Sequence, residues 1–413
     1  MTKGTIYLDN AATTWPKPEE VYRAVDMTMR EHGANPGRGS YRMSIDAQRI
    51  VDEARLEVCR LFNAPAPERV ILTMNCTDAL NLVLKGLIKS GNRVVTGPYE
   101  HNSVARPLSS LRRAGAEVAV AKSTKTFGID LDHFRELCRD RLDYVVLSHV
   151  SNVTGCVSPI KELAEITHER GGLLVLDAAQ SAGDLDIDMQ DLGVDVLAAP
   201  GHKGLYGPMG TGVLVLSAPL PVMPCREGGT GFKSENPEQP LEYPWRLEAG
   251  TINLPGIAGL AAGVRFVRSV GLKAIAEHEA MLARVLADGL RQIDGVSVFC
   301  DAAPSTGVVS FRINAGDVAL TGTMLDESFG IAVRTGLHCS PAAHQAIGTF
   351  PDGTVRASFG KFNTRGDVDA LVAAVRQIKD MSRVLGRGGH PAMTEQRMNT
   401  ANVQSHLALG PKA

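Results

Sequence analysis

At 413 residues the chain has room for one large domain and a smaller one, and its 44% apolar and 21% charged residues are the balance of an ordinary soluble globular protein. A net charge of −2 excludes bulk electrostatic attraction to nucleic acid or to an anionic membrane, and no run of about 18 uninterrupted apolar residues is present to make a helical membrane span. Seven scattered cysteines make neither a disulfide framework nor a zinc pattern, so no metal site is expected and a reducing, cytoplasmic setting is.

The opening MTKGTIYLDNAAT lacks the basic segment and apolar core of a signal peptide. Residues 1–20 read as an arm, followed by a helix over 19–31, a Gly/Pro loop over 33–39 and a long amphipathic helix over 44–62. Val70, Ile71, Leu72 and Thr73 predict a strand that stops at Met74-Asn75-Cys76-Thr77-Asp78, where another helix begins. A helix N-terminus presents free N–H groups and the positive end of its dipole to an anion, and Thr77 could add a hydroxyl. The plainer reading is that Thr77 or Asp78 caps the helix. Strands over 93–96, 117–121 and 144–147 then alternate with helices, which implies a mostly parallel sheet covered on both faces.

The next stretch, residues 173–203, organises the chain. An apolar run, Leu173 to Leu176, reads as a buried strand ending at Asp177, with Gln180 three residues on. A second apolar run over 194–199 stops at Pro200-Gly201-His202-Lys203. Ligands of open α/β sheets bind beyond the carboxyl ends of strands, so one carboxylate and one lysine reach the same rim. Pyridoxal phosphate asks for that pair: a lysine to hold its aldehyde as a Schiff base, and an acid facing the pyridine nitrogen to keep the ring an electron sink. The bland alternative is a capping aspartate and a surface lysine.

A strand over 210–216 follows, then a Gly/Pro-rich surface segment over 221–250 and helical patterns over 254–269 and 272–293. The second of these leads into a smaller domain with strands near 296–299, 307–313, 331–334 and 355–359 and a final helix over 365–384. The expected division is an arm (1–20) packing on the small domain, a large domain (21–255), a small C-terminal α/β domain (256–385) and a disordered tail (386–413).

Eight segments in order resemble the cysteine desulfurases of the class V aminotransferase superfamily, which are fold-type I pyridoxal phosphate enzymes. They are YLDNAATT (7–14), EHNSV (100–104), HVSNVTG (149–155), DAAQS (177–181), GHKGLYGPMGTG (201–212), EAGTIN (248–253), RTGLHCSP (334–341) and VRASFGKFNT (355–364). The resemblance implies a large domain with a mostly parallel sheet plus the smaller domain. Lys203 would be the Schiff-base lysine, Asp177 the partner of the ring nitrogen and Gln180 that of the phenolic oxygen. His101 would stack on the ring and move protons. Cys76, Thr77 and His202 would lie with the cofactor, the last two on its phosphate, joined by Thr251 from the other subunit of a homodimer. Asn152 would contact cofactor and substrate, Arg356 would clamp the substrate carboxylate in a two-pronged bond, and Arg334 would stand near it. Departures from the family are Pro200, where relatives carry serine, Asn102 after His101, and Tyr41, where relatives often carry histidine.

Cys339 matches the family's nucleophile. Its thiolate, its pKa lowered by His338 and neighbouring arginines, would take sulfur from L-cysteine as a persulfide, leaving L-alanine. Cys339 and Arg356 are 17 positions apart, as in the short-loop branch that includes Suf-type desulfurases and selenocysteine lyases. That branch implies a sulfur-acceptor protein and a place in sulfur metabolism and iron–sulfur cluster assembly. The alternatives are a selenocysteine lyase, another class V C–S lyase or aminotransferase, and a catalytically degenerate scaffold.

Overall fold

The computed structural model describes residues 4–387 apart from 38 and 315, so most of the expected disordered tail lies outside the described residues. The chain begins with β1 (Ile6–Tyr7), α1 (Glu19–Glu31), α2 (Arg42–Leu61), β2 (Val70–Thr73) and α3 (Cys76–Leu87). The alternation continues through β3 (Arg93–Thr96), α4 (Asn102–Arg113), β4 (Glu117–Val120), α5 (Leu131–Leu137), β5 (Tyr144–Ser148), α6 (Ile160–His168), β6 (Leu173–Asp177), β7 (Val196–Pro200) and β8 (Gly212–Leu216). After α7 (Leu254–Val270) and α8 (Leu272–Arg291) come β9 (Val296–Val298), β10 (Val308–Ile313), α9 (Val318–Phe329), β11 (Ile331–Ala332) and β12 (Arg334–Gly336). The last elements are α10 (Pro341–Ala346), β13 (Thr354–Ser358) and α11 (Arg365–Arg387).

Seven strands form the large sheet in the order β2-β8-β7-β6-β5-β3-β4. Its central strands read as unbroken apolar runs because helices cover both faces, and β6, β7 and β8 are buried almost throughout. Only β8 runs against its neighbours, β2 and β7. Those two therefore point the same way, and the corner after β2 shares a rim with the ends of β5, β6 and β7. Gly212 permits the approach: a Cβ there would lie 2.6 Å from the Asn75 carbonyl carbon. The segment after β8 carries no helix or strand until α7, as its composition predicts. The buried Arg55–Glu248 ion pair (2.6 Å) and the Leu72 N–H on Glu248 (2.6 Å) pin its end to the large sheet.

The small sheet, β12-β13-β10-β9, is antiparallel throughout. Its own apolar core includes Leu282, Leu286, Phe311 and Val355. The 331–334 pattern, expected as one strand, is divided: β11 pairs with the arm strand β1, whereas β12 pairs with β13. Helix α7 packs on α1 and α2 inside the larger core, since Gly256, Gly259, Gly263 and flanking apolar residues make it buried nearly all round. The final helix runs to Arg387, past the expected end at 384.

Candidate active site

Asp177 closes β6, and Lys203 lies in the turn that follows β7. Both line a cavity of about 210 Å³ at the carboxyl ends of the large-sheet strands. Asp177 is buried, and Oδ1 accepts the Ala179 N–H (2.9 Å) and the Cys76 thiol (3.5 Å). Burial pushes its carboxyl above the ordinary range, opposed by the Ala179 N–H and by Lys203. Burial pushes the Lys203 amine down, opposed by Asp177, and the amine has no hydrogen-bond partner among the described residues. Burial, with the Asp177 charge, holds the Cys76 thiol protonated, so it acts as donor. Gln180 lines the same cavity and donates from Nε2 to the Ala11 carbonyl (2.9 Å).

Two helix N-termini and two neutral histidines form another wall. The Asn75 side chain caps α3 by accepting the Asp78 N–H (2.8 Å), and Thr77 follows in the first turn. His101 caps α4 by accepting the Ser103 N–H at Nδ1 (3.1 Å). Burial first, then Lys203 and nearby arginines, lowers the pKa of His101 to about 4. His202 is lowered to about 4 by burial and by Lys203, and its buried Nδ1 has no partner among the described residues. The arm clamps this turn: the His202 carbonyl accepts from Thr13 Oγ1 (3.1 Å), the Thr14 N–H (3.1 Å) and Lys17 Nζ (2.7 Å). The orphaned Nδ1, the Thr77 hydroxyl and the α3 N-terminus suit an anionic head group. A buried carboxylate and an unpaired amine suit a basic ring and an aldehyde.

The small sheet supplies the rim. Arg334 and Arg356 face one another in register across β12 and β13. Like charges placed opposite cost stability unless an anion joins them. One anion is Asp9 of the arm, whose Oδ1 accepts from Arg356 Nη2 (2.8 Å). Arg356 Nη1 donates to the Asn152 carbonyl (3.0 Å), and the buried Nε has no partner among the described residues. Arg334 Nη2 reaches Cys339 Sγ at 3.3 Å.

Cys339 is exposed, lining an outer groove shared with Thr77 and His101. It and His338 occupy left-handed backbone conformations (φ 59° and 49°), which cost non-glycine residues about 1–3 kcal/mol each and need surrounding structure to hold them. The Asn102 N–H donates to the Cys339 carbonyl (2.8 Å). Asn152, expected on cofactor and substrate, lines the cavity, but both ends of its amide engage the cysteine loop. Nδ2 donates to the His338 carbonyl (2.7 Å), and Oδ1 accepts from Ser340 Oγ (2.7 Å). The expected help from His338 is corrected. Its ring is buried against Thr354 Oγ1 (3.0 Å) and its pKa is lowered to about 2, by burial first and then by Arg356. It is no cation for the thiol; Arg334 is.

The cavity thus gathers Cys76, Thr77, His101, Asn152, Asp177, Gln180, His202, Lys203, Arg334 and Arg356, with Cys339 in the adjoining groove. Thr251 is exposed and does not line it. Sequence reasoning overlooked Asp9, Ser103, Asn75 and Lys17. Asp9 stands in a motif already singled out, YLDNAATT, and an acid there was a usable signal. Among the described residues no group of His, Cys, Asp and Glu could hold a metal ion, and no helix is long and apolar enough to cross a membrane.

A mostly parallel seven-stranded sheet with lysine and aspartate at its strand ends, joined to a small antiparallel sheet bearing arginines beside a cysteine loop, defines an α/β enzyme of fold type I. The chain belongs to the aminotransferase class-V family, whose profile matches residues 6–371. It is 35% identical over 384 residues to a probable cysteine desulfurase of Methanothermobacter thermautotrophicus, covering 91% of this chain and 95% of that protein. It is 33% identical to a cysteine desulfurase of Salmonella dublin, covering 92% and 94%. Among solved structures it resembles the apo cysteine desulfurase of Thermococcus onnurineus NA1 (TM-score 0.86, 32% identity, 91% and 95% covered). It also resembles the cysteine desulfurase CsdA of Escherichia coli (TM-score 0.82, 29% identity, 92% and 96% covered).

Proposed function

We propose that this chain is a pyridoxal phosphate-dependent cysteine desulfurase, converting L-cysteine to L-alanine and retaining the sulfur as a persulfide on Cys339. The observation that carries the reading is the exposed Cys339 thiol in its strained loop, with Arg334 on its sulfur, beside the cavity that contains Lys203 and Asp177. When bound, the cofactor supplies an aldehyde for an amine and a ring that accepts electron density from the substrate α-carbon. Asp177 would hold the proton on the ring nitrogen, Gln180 would serve the phenolic oxygen, and Thr77, His202 and Cys76 would supply the remaining contacts. The unpaired N–H of Arg356, with Arg334, receives the substrate carboxylate. Lys203, its amine pushed toward the neutral form by burial against the pull of Asp177, moves the α-proton at Nζ. His101, neutral above about pH 4, would offer a ring face to the cofactor and a second proton-carrying group.

Cys339 attacks as the thiolate. An S–S bond forms between its Sγ and the substrate sulfur as the substrate Cβ–S bond breaks, and Cβ keeps the electron pair and takes a proton to give alanine. A thiol reductant or an acceptor protein then removes the sulfur. The same reading makes the protein a cytoplasmic homodimer in which Thr251 completes the partner's phosphate site. All seven cysteines are free thiols, which agrees with a reducing compartment. It also divides the chain into the arm, a large domain extending through α7, and a small domain from α8 onward.

The test is alanine release from L-cysteine with a dithiol reductant. Alanine equal to sulfide in the wild type, lost in Cys339→Ala while the visible band of the lysine-bound cofactor stays, is the expected result. Equal alanine from both proteins would exclude the persulfide route and favour a selenocysteine-lyase-like reaction.

A further inference from the structure

Cys339 lines an outer groove of about 400 Å³ between α3 and α4, and the groove meets the cofactor cavity at Thr77 and His101. Asn81 and Lys85 follow Thr77 at one-turn steps along α3. Arg106 stands on α4 one turn beyond Asn102, whose N–H holds the Cys339 carbonyl (2.8 Å). Lys85 and Arg106 are exposed, and neither has an ion pair or a hydrogen bond among the described residues. No Asp or Glu among the described residues lines the groove, and the one acid on α3, Asp78, is taken by Arg226 (3.0 Å). The groove is therefore cationic, and its volume is that of a small-molecule site.

A persulfide on Cys339 must give up its outer sulfur to a second thiol. Cys339 lines the groove and not the cavity, so the groove is the side from which that thiol approaches. The acceptor loses its thiol proton to solvent and attacks the outer sulfur as a thiolate. An S–S bond forms between the acceptor and that sulfur as the bond from it to Cys339 Sγ breaks. The acceptor leaves as a persulfide and Cys339 as a thiolate, so the step needs no outside oxidant or reductant. Arg334 Nη2, 3.3 Å from Sγ, faces the departing negative charge. A carboxylate on the acceptor is drawn by Lys85 and Arg106, whereas an ammonium is repelled.

We propose that the α3–α4 groove is the sulfur-acceptor site and that it selects a small thiol bearing a carboxylate, recognised by Lys85 and Arg106. This rests on the reading of Cys339 as the persulfide carrier. It extends that reading by giving the second substrate a chemical class.

The experiment uses the holoenzyme with Cys339 loaded by one equivalent of L-cysteine, and follows loss of the added sulfur mass on mixing with a thiol. Three thiols on the same two-methylene chain are compared: mercaptopropionate (anionic), mercaptoethanol (neutral) and cysteamine (cationic). Each rate is taken as variant over wild type, which cancels the thiols' own reactivities. Lys85→Glu combined with Arg106→Glu should slow discharge by mercaptopropionate about tenfold, leave mercaptoethanol unchanged and speed cysteamine. In the wild type, raising the ionic strength from about 0.01 to 1 M shortens the screening length from about 30 to 3 Å and should slow mercaptopropionate but not mercaptoethanol. An equal change for all three thiols, or no change for any, would overturn the proposal. So would discharge by mercaptopropionate that ignores salt. A wild-type holoenzyme that gains no sulfur on Cys339 would instead remove the persulfide reading on which the proposal stands.

Discussion

On the large sheet, Ser148, Asp177 and Ala198 lie side by side in register near the ends of β5, β6 and β7, and the polar groups around them are buried and bonded to backbone. On the small sheet, Arg334 and Arg356 stand opposite one another, Cys339 is exposed, and its loop occupies left-handed conformations. The first region is held by short-range satisfaction of each polar group within rigid strands. The second holds like charges and backbone strain in place through distant partners, Asp9 of the arm and Asn152 of the large sheet's rim loop. Fixed geometry suits a cofactor that must be oriented. A strained, cationic rim suits a carboxylate and a thiol that must lose a proton.

The largest effect that sharpens this contrast is expected at Arg356. Arg356→Gln should lower kcat/KM for L-cysteine by about a hundredfold, mostly through KM, with cofactor affinity unchanged, as measured by steady-state alanine release. Arg356→Lys should recover little of it, because a point charge cannot make the planar set of contacts to Asp9, the Asn152 carbonyl and a carboxylate. A loss of cofactor binding in either variant would break the separation of the two regions.

A smaller effect is expected at Asn152, whose amide ties the His338 carbonyl to Ser340 Oγ. Asn152→Ala should release the cysteine loop and reduce alanine formation by about tenfold, the range in which lost positioning of a reacting group is felt. Its visible cofactor spectrum should match the wild type. A changed spectrum would mean that Asn152 contacts the cofactor, as the sequence resemblance implies.

The smallest effect lies in the large-sheet region alone. Glu100 is buried and accepts the Ser148 N–H (3.1 Å) and the Ser148 hydroxyl (2.8 Å). Burial raises its pKa from 4.5 to about 7, opposed by the Ser148 bonds. An acid raised in the folded state contributes stability that is full below its unfolded value and lost as pH rises through the folded one. The window is therefore about pH 4.5 to 7. Glu100→Gln has no such titration, and its urea midpoint should fall less across that window than that of the wild type. Equal slopes in the two proteins would show that Glu100 is not the group responsible.

What the sequence disclosed follows from the range of each interaction. Asp177 and Lys203 were legible because each ends an apolar run, and a strand end is a local signal. Thr77 was legible as a position on a helix start, but not as a neighbour of Ser103, since that contact needs α3 and α4 side by side. The Asp9–Arg356 pair spans 347 positions and depends on β1 pairing with β11, a two-residue strand with no periodicity to detect. Residues 331–334 read as one strand because apolar alternation does not reveal a change of sheet. Helix α7 was legible as a helix, but the helices it packs on were not. Its glycines let it pack tightly on α1 and α2, and only the packed partners show which core it joins.

The central claim is that the rim thiol takes the sulfur, and the most direct test is the mass of the intact protein after a single turnover. Wild-type protein mixed with one equivalent of L-cysteine without reductant should gain one sulfur atom, mapped by peptide fragmentation to Cys339, as one equivalent of alanine is released. Alanine released with Cys339 unmodified, or the added sulfur found on Cys76 or Cys225 instead, would contradict the account.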